Sequence, residues 1–268
     1  MCRQGILFTN NILQKDTIEI MASAWRQAII VGASSGIGEE LARQLVAGGC
    51  RVALVARRQE ELERIARDLN TASERRVLTY SHDVRNYAEA PTLLQNITHE
   101  LGGCDLFIYA AGVMPVVEPN EYCFEKDQAM IEVNVLGAMA WINEIAQRFA
   151  QTKRGTLVGI SSVAGERGRM TMPAYTTSKA ALTTYLEAVR NRIARYGVKV
   201  VTVKPGPVKT PMTEGLKMPL MIPAERAARE ILRAAEKGRV NAFVPGIWRW
   251  IFLILRNIPS FIFRKAKL

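Results

Sequence analysis

Three side chains near the middle of the chain have the types and spacing that proton transfer requires. They are Ser162, Tyr175 and Lys179, in "SSVAGERGRMTMPAYTTSKAAL". Residues four apart in a helix lie on one face, a turn apart, so Tyr175 and Lys179 become neighbours. A nearby ammonium stabilises a tyrosinate and lowers the phenol's pKa, as a proton donor to a carbonyl near neutral pH needs. Ser162 closes an apolar run and could hydrogen-bond the same oxygen. Tyr-x3-Lys by itself often marks no more than a surface pair, so its weight depends on what accompanies it.

The companion is "VGASSGIGEELARQL", residues 31–45, which sets Gly32, Gly36 and Gly38 between an apolar run and a helical pattern. Glycine weakens strands and helices alike, so a cluster at their junction has a local cause. One cause is a tight strand–helix turn; the other is a ligand that approaches the backbone. A helix N-terminus offers unpaired N–H groups and a positive dipole end, and glycines let a pyrophosphate come close. The next apolar run ends "VALVARR". In dinucleotide-binding folds the residue here meets the adenosine ribose, where an acid bonds the 2′-hydroxyl and a basic group accommodates a 2′-phosphate. Arg57 and Arg58 stand there with no acid, which favours NADP(H) over NAD(H). A solvated helix cap would account for Arg58 more easily than for Arg57. Asp83, in "SHDV", is placed either to bond an adenine ring or to cap a helix.

The elements that must carry these groups come in a regular order. "QAIIVGA" (27–33), "CRVALVAR" (50–57), "RVLTYSHDV" (76–84), "DLFIYAAG" (105–112), "GTLVGISS" (155–162) and "VKVVTVKPG" (198–206) are short apolar runs, as buried parallel strands should be. Helical patterns fill 36–48, 59–70, 86–101, 125–152 and 173–195. This alternation implies right-handed crossovers and an α/β fold, a doubly wound parallel sheet flanked by helices. No linker divides residues 21–245, which read as one domain. Residues 1–20 precede a second plausible start, Met21, and read as an optional or poorly ordered extension.

The glycine motif, "DLFIYAAG", "EVNVLGAM", Ser162, "YTTSK" and "KPGPVKT" occur in the order and spacing of the short-chain dehydrogenase/reductase family, which residues 25–245 resemble. The resemblance implies a single Rossmann-type domain and hydride transfer between a nicotinamide cofactor and a carbonyl or alcohol carbon. It implies that Tyr175 is the general acid/base, that Lys179 lowers its pKa and holds the nicotinamide ribose, and that Ser162 orients the substrate carbonyl. Asn134 would support a proton-relay water near Lys179. The cofactor would lie along Gly32, Ser34, Ser35, Gly36, Ile37, Gly38, Asp83, Val84, Ala111 and Gly112. Pro205, Gly206, Val208 and Thr210 match the segment against the nicotinamide. The family also implies a homodimer or homotetramer. Two positions depart from its pattern: Val31 replaces a threonine, and "YAAG" (109–112) replaces Asn-Asn-Ala-Gly and removes polar groups that brace the sheet.

Two stretches bear on the substrate and partners. "PVKTPMTEGLKMPLMIPAE" (207–225) lies where the family has its mobile lid, and its methionines and leucines suit a hydrophobic substrate or simple packing. In the tail, 246–268, a helix would gather Trp248, Ile251, Phe252 and Leu255 in one stripe, with Arg249 and Arg256 elsewhere. Its apolar run is too short to span a bilayer, and Pro259 breaks any helix that would lengthen it. Such a helix fits an anionic membrane surface. The rival is a tail that packs on a partner subunit or covers the pocket.

Composition bounds the rest. The net charge of +11, from 36 basic and 25 acidic residues, suits an anionic partner or a merely soluble basic surface. The tail alone holds Arg249, Arg256, Arg264, Lys265 and Lys267 with no acid, among aromatics rather than in a basic groove, which argues against nucleic acid. Four scattered cysteines and the two histidines, His82 and His99, make no metal site. The cysteines and the absence of an export signal point to the cytoplasm, with peripheral membrane attachment through the tail. A catalytically idle NADP(H)-binding sensor or scaffold is the competing function, and the full Ser162–Tyr175–Lys179 set argues against it.

Overall fold

The computed structural model describes residues 23–118, 120–216 and 218–265. The extension at 1–20 and Met21 lie outside them. Among the described residues, seven strands form one parallel sheet: β1 (Gln27–Val31), β2 (Arg51–Ala56), β3 (Val77–Ser81), β4 (Leu106–Tyr109), β5 (Thr156–Ile160), β6 (Lys199–Pro205) and β9 (Asn241–Val244). A two-stranded ribbon, β7 (Val208–Lys209) with β8 (Ile222–Pro223), stands apart. The sheet order is β3-β2-β1-β4-β5-β6-β9. The direction in which successive strands are added reverses between β1 and β4, and the crevice at such a switch point is where open α/β sheets bind ligands.

Helices cover both faces: α1 (Gly36–Ala47), α2 (Gln59–Leu69), α3 (Ala90–Leu101), α4 (Phe124–Ile131), α5 (Gly137–Thr152), α6 (Pro173–Ile193) and α7 (Ala224–Glu236). Burial on both sides explains why the strands read as unbroken apolar runs. One core layer joins Leu41, Leu45, Leu54, Ile65 and Ile231; the other joins Ile29, Phe107, Trp141, Phe149 and Leu186.

The structure extends and corrects the expected elements. The helix expected over 125–152 is divided, because Glu132–Leu136 winds as a π-helical turn between α4 and α5. Helix α7 and strand β9 have no counterpart among the expected elements. At the departure "YAAG", the Tyr109 hydroxyl, fully buried, donates to the Val133 carbonyl at 2.7 Å and ties β4 to the π turn, while Ala110 offers no polar side chain. The tail is not a loose appendage. It forms α8 (Trp248–Leu255) and a short turn α9 (Ser260–Phe263), and α8 packs Trp248 and Phe252 against Val163 and Phe243.

Candidate active site

The C-terminal ends of β1, β4, β5 and β6 open onto one cavity of about 730 Å³, a size suited to a cofactor or drug-sized ligand. At one end lies the glycine loop, with Gly32, Ser34, Ser35, Gly36, Ile37 and Gly38 in the wall. The three glycines prove to have protein-internal reasons as well. A Cβ on Gly32, at φ +92°, would strike the Ala110–Ala111 backbone, and one on Gly38 would strike the Gly32 carbonyl. At Gly36, with φ +59°, a Cβ would stand 3.0 Å from the Thr210 side chain. The tight turn and the ligand-facing loop are thus one object. Ser35 heads α1 without a side-chain cap, which leaves the first N–H groups turned to the cavity end.

Arg58 is held on this loop: its Nη2 donates to Ser34 Oγ at 2.9 Å and to Ser35 Oγ at 2.8 Å. Arg57 is exposed beside it, and both line the cavity. Arg58 therefore does more than cap α2. Ala111, Gly112 and Val84 are also in the wall. Asp83 is not. Arg85 takes its carboxylate: Nη2 donates to Oδ2 at 2.6 Å and the backbone N–H to Oδ1 at 3.0 Å. The side-chain hydrogen bond is the main cause that holds the carboxyl down at about 2. Its role as a local turn-former is thereby accounted for.

The expected proton-transfer group meets further in. Met172, in the left-handed region at φ 55°, and Pro173 start α6, which presents Tyr175 in its first turn and Lys179 one turn on. Ser162 comes after β5 and its hydroxyl accepts from Ala164 N at 3.0 Å. Burial raises the Tyr175 phenol above its ordinary value; a hydrogen bond with Ser162 and the charge of Arg169 pull it back. Lys179 does not point its ammonium at the phenol. Its Nζ donates to the Ile160 carbonyl at 3.0 Å and stands 5.8 Å from the Tyr175 ring centroid. Desolvation lowers it from 10.5 to about 8. The groups that lower the phenol here, against burial, are Ser162 and Arg169.

Asn134 sits in the π turn, fully buried. Its Oδ1 accepts from Val113 N at 2.8 Å, while Nδ2 donates to Val113 O at 3.1 Å and to Ser178 Oγ at 3.0 Å. The side chain thus clamps the loop after β4 to α6, beside Gly112, whose Cα faces both Asn134 and Lys179. Pro205, Gly206, Val208 and Thr210 line the far wall.

Several wall residues carry no sequence signal that assigns them to the site. Arg167, Arg169, Thr171 and Met172 come from the loop before α6, and His82 from the end of β3. Trp248, Ile251, Phe252, Leu255 and Phe263 come from the tail. Gly206 has no room for a Cβ because the Trp248 indole occupies that space. The stripe Trp248, Ile251, Phe252 and Leu255 faces the cavity, in keeping with the rival reading of a tail that covers the pocket and not with a stripe laid on a membrane. Arg167 fastens it, donating to the Leu255 carbonyl and lying 3.8 Å from the Phe263 ring centroid. Glu166, paired with Lys204 at 2.5 Å, reaches Arg256 at 4.0 Å.

Comparison with known proteins agrees with this geometry. The short chain dehydrogenase family model matches residues 26–219. An uncharacterized oxidoreductase of Myxococcus xanthus (strain DK1622) is 32% identical over 224 residues, 83% of this chain and 88% of that protein. A Burkholderia cenocepacia J2315 short chain dehydrogenase, solved in complex with NADP, superposes with a TM-score of 0.77 over 92% of this chain and 98% of that one, at 22% identity. A Sphingobium yanoikuyae short-chain dehydrogenase in complex with NADPH gives 0.76 over 88% and 97%, also at 22%. With the glycine loop and the Ser162, Tyr175 and Lys179 side chains along one cavity, the chain belongs to the short-chain dehydrogenase family of oxidoreductases.

Proposed function

We propose that the protein is an NADP(H)-dependent reductase of a hydrophobic ketone or aldehyde, able also to oxidise the corresponding alcohol. The observation that carries this reading is the run of one cavity from a glycine loop braced by Arg58 to the Ser162–Tyr175 pair. Arg57 and Arg58, with no acidic side chain among the described residues of the cavity wall, favour a 2′-phosphate over a free ribose hydroxyl. The dinucleotide supplies the hydride. Ser162 would bond the carbonyl oxygen, and Tyr175 would give that oxygen its proton as negative charge develops. Lys179 would anchor the ribose, and Asn134 would keep the Gly112–Val113 turn and α6 at fixed separation. The lid residues Met212, Met218 and Leu220 with the tail aromatics make the substrate end apolar, which supports an apolar substrate.

Two further features belong to the same proposal. The outer side of the tail, Ile247, Trp250, Leu253, Ile254, Phe261 and Ile262, is exposed among Arg249, Arg256, Arg264 and Lys265. That combination suits an anionic membrane surface at the cytoplasmic side, with free Cys50, Cys104 and Cys123 as expected in a reducing compartment. Exposed Tyr122, Phe124 and Leu136, around α4 and the π turn, suit a homodimer or homotetramer.

The test is NADPH and NADH consumption by purified protein against methyl ketones of graded chain length. Turnover that rises with chain length, prefers NADPH and falls about 10²- to 10⁴-fold in Tyr175→Phe with cofactor binding intact is expected. Undiminished turnover in that variant would overturn the assignment.

A further inference from the structure

The substrate end of the cavity sets two cations, Arg167 and Arg169, among apolar side chains. Arg169 lies in the wall among Met172, Trp248 and Phe252, with its guanidinium 5.4 Å from the Phe252 ring centroid. Its basic neighbours each have a partner. Lys204 pairs with Glu166, and Arg167 donates to the Leu255 carbonyl. Arg169 makes no ion pair and no hydrogen bond among the described residues, and no aspartate or glutamate among them lines the cavity. Burial pulls this guanidinium below its ordinary value. Arg169 and Tyr175 line the same cavity.

An arginine half-removed from water without a partner carries an uncompensated desolvation cost. An oxyanion offsets it better than water, because the planar fork donates two parallel bonds to a carboxylate or phosphate. The opposite end already has Arg57 and Arg58 for an anionic group of the cofactor, so a second basic centre there would be redundant. Arg169 comes instead from the loop before α6 and lies by Phe252 of the tail, among side chains suited to an acyl chain. We propose that the cavity takes an amphiphilic anion, an oxo-compound whose apolar chain lies against the tail and whose carboxylate or phosphate is held by Arg169. This rests on the reductase reading for the reaction, though not for the binding.

The binding test is calorimetry on the full chain saturated with NADPH, so that Arg57 and Arg58 are engaged. Decanoate and decyl phosphate are titrated against methyl decanoate, an ester of the same chain length without charge. At least tenfold tighter binding of one anion over the ester is expected, and which anion binds better identifies the oxyanion. Arg169→Gln should erase that preference while NADPH affinity stays unchanged, and Arg169→Lys should restore part of it. Equal affinity of anions and ester for the unaltered protein would overturn the proposal without recourse to any variant. So would a preference that survives in Arg169→Gln. The reaction is tested separately with 3-, 5-, 7- and 9-oxodecanoates and their methyl esters. Anion binding without reduction of any of them would count against the reductase reading and leave the Arg169 site standing. Reduction of acids and esters at equal kcat/KM, with equal affinities in calorimetry, would do the reverse.

Discussion

At the scale of single residues, Lys179 gives the pH dependence. Its ammonium is the form that burial penalises, so in the folded chain it gives up its proton near pH 8, against 10.5 ordinarily. Between those values the unfolded chain binds more protons than the folded one. Stability linked to Lys179 therefore rises with pH across that window, and the penalty is fully present below about 8. The proposed reduction runs the other way, since it needs the ammonium. The kcat for NADPH-driven reduction should fall above pH about 8 even as thermal unfolding shows no matching loss of stability. A rate flat to pH 10 would mean that Lys179 acts without its charge. The same residue shows a limit of spacing arguments. Tyr-x3-Lys puts both groups on one face, as found, but cannot show that Nζ turns to the Ile160 carbonyl. Arg169 is harder still: in "GERGRM" it reads as one more solvated arginine, and only the tail folding over it makes it part of a cavity wall.

At the scale of elements, the short turn after β5 joins the chemistry to the tail. Glu166, 8% exposed, bonds Lys204 of β6 and lies near Arg256 just past α8. Removing one member of a buried pair leaves the other charge uncompensated, at a cost of about 3–5 kcal/mol. Glu166→Gln should lower the melting temperature by several degrees in calorimetry and leave NADPH affinity largely intact, because the cofactor end shares no atom with the pair. An unchanged melting temperature would mean water reaches Lys204. The strands that position the site were legible because six of them are short, mostly apolar runs, largely buried between the helix layers. The seventh, "NAFV", is too short to stand out from its surroundings. Helix α7 buries Ala227, Ala228, Ile231, Ala234 and Ala235, opposite a side of arginine and glutamate, and that contrast in "AERAAREILRAAE" makes it as legible as α2. The π turn left no pattern, since one extra residue in a helix keeps the apolar spacing on either side.

At the scale of the whole molecule, the tail has two apolar faces, and periodicity could not say which turns inward. The packed face is Trp248 and Phe252; the outer includes Trp250 at 59% and Ile254 at 69% exposure. Among the described residues no helix is long and apolar enough to cross a membrane, so any attachment through them would be interfacial. The protein should sediment with phosphatidylcholine vesicles that contain phosphatidylserine and not with pure phosphatidylcholine, less so at high salt. Trp250→Glu combined with Ile254→Glu should abolish it. Binding that ignores lipid charge, or persists in the double variant, would remove the membrane from the proposal.

The match to the family ends at residue 219, while Trp248, Ile251, Phe252, Leu255 and Phe263, which close the substrate end, all come after it. The tail's share of the cavity wall therefore lies outside the stretch that the family model matches, while Arg169, Met212 and Met218 lie within it. A graft of the last two dozen codons between relatives should change which apolar shapes fit the cavity, provided that the new end still fits Gly206 and Val163. Selection could diversify such enzymes by exchanging their ends.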